Sequence, residues 1–405
     1  MMESILSIEK FIYKLYFLFG MRYNPFNPTQ PARPDFFVGR EPEIVEFEKI
    51  ITQTINGSPM NMLVTANRGM GKTSLLVKFE DIAKKTNLLA LRISNYEGNI
   101  SSVVDFCDYL TSNLKREILS KRPIGDKFNQ LKEWVATLKP TIGWNDISLS
   151  VEKSQVIQEV FRQRLIKLWG EMKDDFSGVL LLIDEAESLQ KIKDVDILAF
   201  MREVFQRMES EAKYSIVLAG KFNFTERMSE SFSPLNRFFP CHRLQPLDEK
   251  SMRNYILKRL TTQNVGIDDK AVNYIVERCE GHPYVLVAIC YLLFDSLKEE
   301  ENHITIDVVT RAMEKINYRL GQDFFEPMYH ILTPKAREIL KNIAKRTKKL
   351  QFSFKDAVDW TKMPRNYVSP YIQELIRKGV LDKPDRGKYR IFHTLFLEYL
   401  KIKKE

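Results

Sequence analysis

The stretch that most constrains this chain runs from Asn61 to Leu75 and reads Asn-Met-Leu-Val-Thr-Ala-Asn-Arg-Gly-Met-Gly-Lys-Thr-Ser-Leu. Met62, Leu63 and Val64 make a short apolar run. Two glycines then break it, and Leu75, Leu76, Phe79 and Ile82 follow at helical spacing. Strand, glycine turn and helix in that order cradle a phosphate chain. They offer inward-turned backbone N–H groups, a helix N-terminus aimed at negative charge, a lysine for the outer phosphates and a hydroxyl for Mg2+. Asn67, Arg68, Gly69, Met70, Gly71, Lys72, Thr73 and Ser74 are therefore the expected nucleotide-binding residues, with Thr73 also on the metal. Ala66 stands where the usual pattern has its first glycine, while Gly69 and Gly71 keep the positions closest to phosphate.

A phosphate loop predicts a second acidic landmark, and Gly178-Val-Leu-Leu-Leu-Ile-Asp-Glu-Ala-Glu187 supplies it. An unbroken apolar run suits a parallel strand covered on both faces, and its acids fall at the C-terminal tip, where open α/β sheets hold ligands. Asp184 is expected to hold Mg2+, and Glu185 to orient and deprotonate the attacking water. A further strand, Tyr214 to Ala219, is followed by Lys221 and Asn223; one of these would sense the third phosphate, or no residue does. A last short strand is expected around Cys241 to Leu244, and Arg237 just before it is a candidate arginine finger for a neighbouring subunit's nucleotide.

The chain has 405 residues, more than one hydrophobic core usually serves. Leu88 to Ile93 reads as a strand, and the strand beginning near Val179 comes about 85 residues later. That interval exceeds an ordinary crossover, so an insertion is expected, with helices near 101–120, 126–138 and 154–172 and an alternating strand or hairpin around Ile147, Leu149 and Val151. Residues 4–20 are apolar but short and interrupted by Glu9, Lys10 and Lys14, which argues against a transmembrane helix. They fit an amphipathic helix on the body, an interfacial helix, or a segment upstream of a true start at Met21. The four scattered cysteines form no Cys-x-x-Cys pair, pointing to a reducing, cytoplasmic setting without a structural zinc.

The net charge of +9 is unevenly placed: Thr333 to Glu405 carries 19 Lys and Arg against 8 Asp and Glu. The excess positive charge therefore belongs to the C-terminal piece, and a polyanion is its natural partner.

This constellation resembles the AAA+ P-loop ATPases, and within them the archaeal and bacterial branch similar to the Orc1/Cdc6 initiators and the STAND signalling ATPases. Gly69 to Ser74 resembles Walker A and Leu180 to Glu185 resembles Walker B. Val38-Gly39-Arg40-Glu41 is similar to the box that cups adenine, and Ser233 to Phe238 to the box ending in the arginine finger. The resemblance implies an α/β P-loop AAA+ core with a parallel sheet at 24–247 and an all-α lid at 248–320. A winged helix-turn-helix domain at 321–405 would follow, with residues 1–23 as an N-terminal extension. Gly281-His282-Pro283 is similar to the Gly-x-Pro signature of STAND lids, which implies Pro283 at the nucleotide and a switch in preference to a fast ring motor. Lid helices are expected near 249–261, 268–279, 283–297 and 306–316. The winged helix is expected to present Arg365 at the start of its third helix, with Lys383, Arg386, Lys388 and Arg390 along the wing. Pro370 within that third helix is expected to delay its start to Ser369.

The resemblance implies ATP and Mg2+ as ligands and hydrolysis that is slow without a partner or a self-assembled neighbour supplying Arg237. Two functions fit. One is a DNA-binding initiator or loader with the wing on duplex DNA. The other is a signalling or defence switch whose winged helix packs on its own core and whose effector is a separate protein.

Overall fold

The computed structural model describes residues 22–94, 100–121, 151–208, 211–221, 224, 233–298 and 300–403. These pack as two compact units. One comprises Pro31–Asn67 and Gly71–Gln245; the other takes the described residues up to Gln30, the tripeptide Arg68–Met70 and those from Pro246 onward.

In the first unit α1 (Glu41–Ile55) is preceded by a short 3-10 turn at Pro34–Phe36. Its entry is fixed by Arg40, which adopts a left-handed conformation and accepts the Ile44 N–H at 2.9 Å. Then come β1 (Met62–Thr65), α2 (Lys72–Lys85), β2 (Leu88–Ser94), α3 (Val103–Lys121) and α4 (Val151–Met172). β3 (Gly178–Asp184), α5 (Ile197–Met208), β4 (Tyr214–Gly220), α6 (Ser233–Phe238) and β5 (Cys241–Arg243) complete it. The five strands pair parallel in the order β2-β3-β4-β1-β5. Every residue of β1, β3 and β4 is buried, which is why these strands read as continuous apolar runs.

The insertion expected between β2 and β3 contributes α3 and α4. Phe106, Leu110 and Leu114 of α3, Phe161 and Leu165 of α4, and Phe200 and Val204 of α5 share one buried cluster with the sheet. The helix expected at 126–138 and the residues Ile147 and Leu149 lie outside the described residues; Val151 begins α4 instead of extending a strand. Because the strands are parallel, the turns after β1, β3 and β4 leave the sheet at one edge, and the site is built there.

The second unit begins with α7 (Glu249–Thr261), β6 (Gly266–Ile267), α8 (Asp269–Cys279), α9 (Pro283–Asp295), β7 (His303–Ile304) and α10 (Ile306–Leu320). The helix starts follow local chemistry: the Asp248 carboxylate accepts the Ser251 N–H at 2.8 Å, and the Thr305 hydroxyl accepts the Val308 N–H at 3.4 Å. The two-residue parallel pair β6–β7 was not expected in an all-helical lid; runs this short carry no readable alternation.

A π-turn at Gly321–Phe325 leads through α11 (Glu326–His330) into α12 (Pro334–Arg346), β8 (Gln351–Ser353), α13 (Phe354–Thr361), α14 (Arg365–Arg377), β9 (Leu381–Asp385), β10 (Lys388–Ile391) and α15 (Thr394–Ile402). The small antiparallel sheet has the order β8-β10-β9. Helix, strand, helix, helix, strand, strand is the order of a winged helix. α13 is opened by a capping box: the Ser353 hydroxyl accepts the Asp356 N–H, and the Asp356 carboxylate accepts the Ser353 N–H at 2.7 Å. α14 begins at Arg365 and runs through the exposed Pro370, so its start is not delayed to Ser369. Val368, Ile372 and Leu375 are all fully buried at helical spacing, and their burial outweighs the one N–H that proline removes.

α15 and β10 are tied to α8. Arg278 forks onto Glu398 at 2.9 and 2.8 Å. Glu280 accepts the Thr394 N–H at 3.0 Å with one oxygen and the Arg390 guanidinium at 3.1 Å with the other. Among the described residues no helix is long and apolar enough to cross a membrane.

Candidate functional site

The phosphate loop leaves β1 after Thr65 and ends at Gly71, the left-handed N-cap of α2. Gly69 has φ +81°, and a Cβ there would lie 2.6 Å from His282 Cε1, so only glycine fits. Lys72 sits at the first position of α2 and curls back over the loop, its Nζ donating to the Ala66 carbonyl at 2.9 Å and the Asn67 carbonyl at 3.2 Å. Burial lowers the pKa of this ammonium, while Glu187, Asp184 and Glu185 act in the opposite sense. Ser74 Oγ accepts the Ala32 N–H at 3.0 Å, so this expected nucleotide residue also anchors the chain ahead of α1.

The tip of β3 meets the loop. Thr73 Oγ1 donates to Asp184 Oδ2 at 2.7 Å, and Asp184 Oδ1 accepts the Glu185 N–H at 2.9 Å. Glu185 is held at φ 51°, a conformation costly for a residue with a side chain. Its Oε2 is buried with no hydrogen-bond partner. Burial, then the charges of Asp184 and Glu187, push its pKa up. A strained, half-desolvated carboxylate with an orphan oxygen at a strand tip is suited to take a proton from water.

The residues fit a nucleotide with Mg2+. Among the described residues no three His, Cys, Asp or Glu side chains converge on a metal position. Thr73 and Asp184, joined at 2.7 Å, are the residues that would hold the cation.

Lys221, immediately after β4, is ion-paired with Glu187 at 3.1 Å. Asn223, the other residue expected to sense a third phosphate, lies outside the described residues. Val38 is half-buried; Gly39 and Arg40 are buried, and the Arg40 guanidinium donates to the Gln245 carbonyl. Arg237 is exposed on α6.

Within the second unit the tripeptide of the phosphate loop is gripped by the turn before α9. Tyr284 donates its N–H to the Gly69 carbonyl at 3.1 Å. His282 is the N-cap of α9: its Nδ1 accepts the Val285 N–H, which leaves the proton on Nε2 to donate to the Arg68 carbonyl at 3.2 Å. Burial and the neighbouring His393 lower the His282 pKa to about 3, so the ring is neutral. Pro283 occupies the first position of α9, where its missing N–H costs nothing.

Along the β9–β10 hairpin Lys383, Arg386 and Lys388 are exposed, as is Arg365 of α14, whose guanidinium lies 5.5 Å from the Phe354 ring centre. Arg390 was expected beside them; it is half-buried and engaged by Glu280. Four contributors went unassigned in the sequence: Glu187, Glu280, Tyr284 and His393. Only Glu187 left a signal there, as the third acid of the Asp-Glu-Ala-Glu run.

A family model described as Novel STAND NTPase 1, nSTAND1, matches residues 23–398. The chain is 22% identical over 426 residues to the uncharacterized HTH-type transcriptional regulator MJ0774 of Methanocaldococcus jannaschii, covering 98% of this chain and 95% of that protein. Among solved structures it is similar to the Walker-type ATPase PABY2304 of Pyrococcus abyssi, with TM-score 0.61 and 17% identity over 92% of this chain and 99% of that one. It is also similar to the Aeropyrum pernix ORC2 protein, solved in ADPNP and ADP complexes, with TM-score 0.60 and 12% identity over 94% of this chain and 97% of that one. At these identities the two structures establish a shared P-loop fold.

Proposed function

Because this chain belongs to the nSTAND1 family of NTPases, we propose that it binds ATP with Mg2+, hydrolyses it slowly, and passes the state of its phosphate loop to a basic winged helix that contacts duplex DNA. The observation that carries the ATPase reading is the Thr73–Asp184 hydrogen bond at 2.7 Å beside Lys72 and the orphan oxygen of Glu185. Lys72 turns from the loop carbonyls to the outer phosphates. Glu185 receives the proton of the attacking water. Thr73 and Asp184 would hold Mg2+, which would supply charge neutralisation to the phosphates. Phosphate release from ATP by the full chain tests this: Glu185→Gln should abolish turnover and keep ATP binding, and unchanged turnover would sink the mechanism.

Supporting the transmission is the grip of His282 and Tyr284 on Arg68 and Gly69, all within the second unit. DNA binding is supported by the 19 Lys and Arg against 8 Asp and Glu from Thr333 onward, and by the exposed Arg365, Lys383, Arg386 and Lys388. The M. jannaschii relative carries the name of an HTH-type transcriptional regulator. Duplex binding by the full chain that is nucleotide-dependent and falls steeply with salt is the expected result.

A second reading rests on the ties from α8 to Thr394, Arg390 and Glu398. They hold the winged helix by the chain's own residues, as a signalling switch with a protein effector would require. Absence of DNA binding in either nucleotide state, with turnover stimulated by a protein partner, would favour it. Assembly of copies through Arg237 belongs to either reading.

A further inference from the structure

Glu187 grips both ends of one residue. One carboxylate oxygen accepts the Lys221 backbone N–H at 3.1 Å, and the other pairs with Lys221 Nζ at 3.1 Å. The approach is close enough that a Cβ on Gly220 would lie 3.3 Å from the same carboxylate. β3 and β4 are parallel neighbours, with Ile183 beside Leu218, so the first turn after β3 brings Glu187 against the end of β4. Glu187 is also the leading negative charge acting on Lys72, ahead of Asp184. One carboxylate therefore pairs with Lys221 and also acts electrostatically on Lys72.

The two partners differ in exposure: the Lys221 side chain is 57% exposed and that of Glu187 23%. An ion pair with its ammonium largely in water is weak and readily exchanged for a multiply charged phosphate. The backbone hydrogen bond, in contrast, keeps the end of β4 in register whichever anion the ammonium prefers.

We propose that Glu187 is a positioning residue that sets the discrimination between nucleoside tri- and diphosphate, by holding the Lys221 ammonium until a third phosphate competes for it. The inference rests on the ATPase reading of the site. A diphosphate leaves the Glu187–Lys221 pair closed. A triphosphate opens it, so part of its binding energy is spent on breaking the pair, and removing the Glu187 charge frees that part.

The test is the ratio of affinities of the full chain for a non-hydrolysable ATP analogue and for ADP, both with Mg2+. It is measured for the wild type, Glu187→Gln, Lys221→Gln and the double variant. Glutamine keeps an acceptor for the Lys221 N–H, and nucleotide-free melting within a degree or two of wild type will show that the fold is retained. The expected result is a preference for the triphosphate raised by about three- to fivefold in Glu187→Gln and by less than about 1.5-fold when the same change is made on Lys221→Gln. An unchanged ratio in Glu187→Gln, or an equal rise in both backgrounds, would overturn the proposal while leaving the ATPase reading intact. Failure of the wild type to bind either nucleotide would overturn that reading and this inference with it.

Discussion

The carbonyl of Arg68, in the phosphate loop, accepts a hydrogen bond from Nε2 of His282, 214 residues further along the chain, at 3.2 Å. The imidazole that makes this bond is neutral because it is buried, and the same ring closes over Gly69. The tripeptide Arg68–Met70 and the start of α9, both of the second unit, are thereby joined through one side chain.

Gly69→Ala should weaken ATP binding by more than tenfold and destabilise the protein by about 1–3 kcal/mol. Two causes act together: φ +81° disfavours any side chain, and the new methyl meets His282 Cε1 at 2.6 Å. Adding His282→Ala should relieve the clash but not the backbone strain, so urea denaturation of the pair should show partial recovery of the loop's contribution. Full recovery would mean that the φ angle is relaxed.

Stability should fall as pH drops below neutrality. His282 has a folded pKa lowered to about 3, so between the unfolded value near 6.5 and that value the unfolded chain binds the extra proton. The contribution is fully present above pH 6.5 and is lost progressively as pH falls toward 3. From pH 7 to pH 5 the loss is about 2 kcal/mol from this residue. His393, also buried, is shifted in the same direction. Chemical denaturation of the wild type and of His282→Gln at the two pH values will check it; equal slopes with pH would refute the assignment.

Lys72→Met should remove nucleotide-induced stabilisation. Binding at 100 times Kd adds about 2.7 kcal/mol to a wild-type protein. A variant without the ammonium should show almost none of it in thermal melts with and without ATP·Mg2+.

Thr73→Ala should raise the Mg2+ concentration needed for half-maximal turnover and leave Mg2+-free nucleotide affinity nearly unchanged, because the hydroxyl now on Asp184 at 2.7 Å is placed for the cation more than for phosphate. A shift in both quantities would assign Thr73 to the phosphates. Chelation of Mg2+ should stop turnover in both proteins.

In the wing, Arg386→Ala with Lys388→Ala should weaken duplex binding and reduce the log–log salt slope by about 2, the loss of two phosphate contacts. Arg390→Ala should leave that slope unaltered and act on stability instead, through the charge of Glu280 left without its guanidinium. A slope change for Arg390→Ala would show that Glu280 releases it on DNA.

What the sequence by itself determined was everything encoded within a few residues. β1, the loop and α2 were legible because apolar run, glycines and helical spacing adjoin. The acids at the end of β3 were legible because a phosphate loop requires them and a buried strand announces its own tip. The helices α7 to α10 were legible because their buried stripes are local. The tertiary structure alone decided which cations are already engaged. Arg390 reads as one more basic residue of the wing, and only folding sets it 3.1 Å from Glu280, 110 residues earlier in the chain. Pro370 is a helix breaker by its own chemistry, overruled by the burial of Val368, Ile372 and Leu375 on the face it does not share. Glu187 meets Lys221, and His282 meets Arg68, across separations that no periodicity spans. Charge and hydrogen-bonding capacity belong to the residue, but the partner that satisfies them is chosen by packing, because desolvation makes an unpaired group costly only where the fold has excluded water.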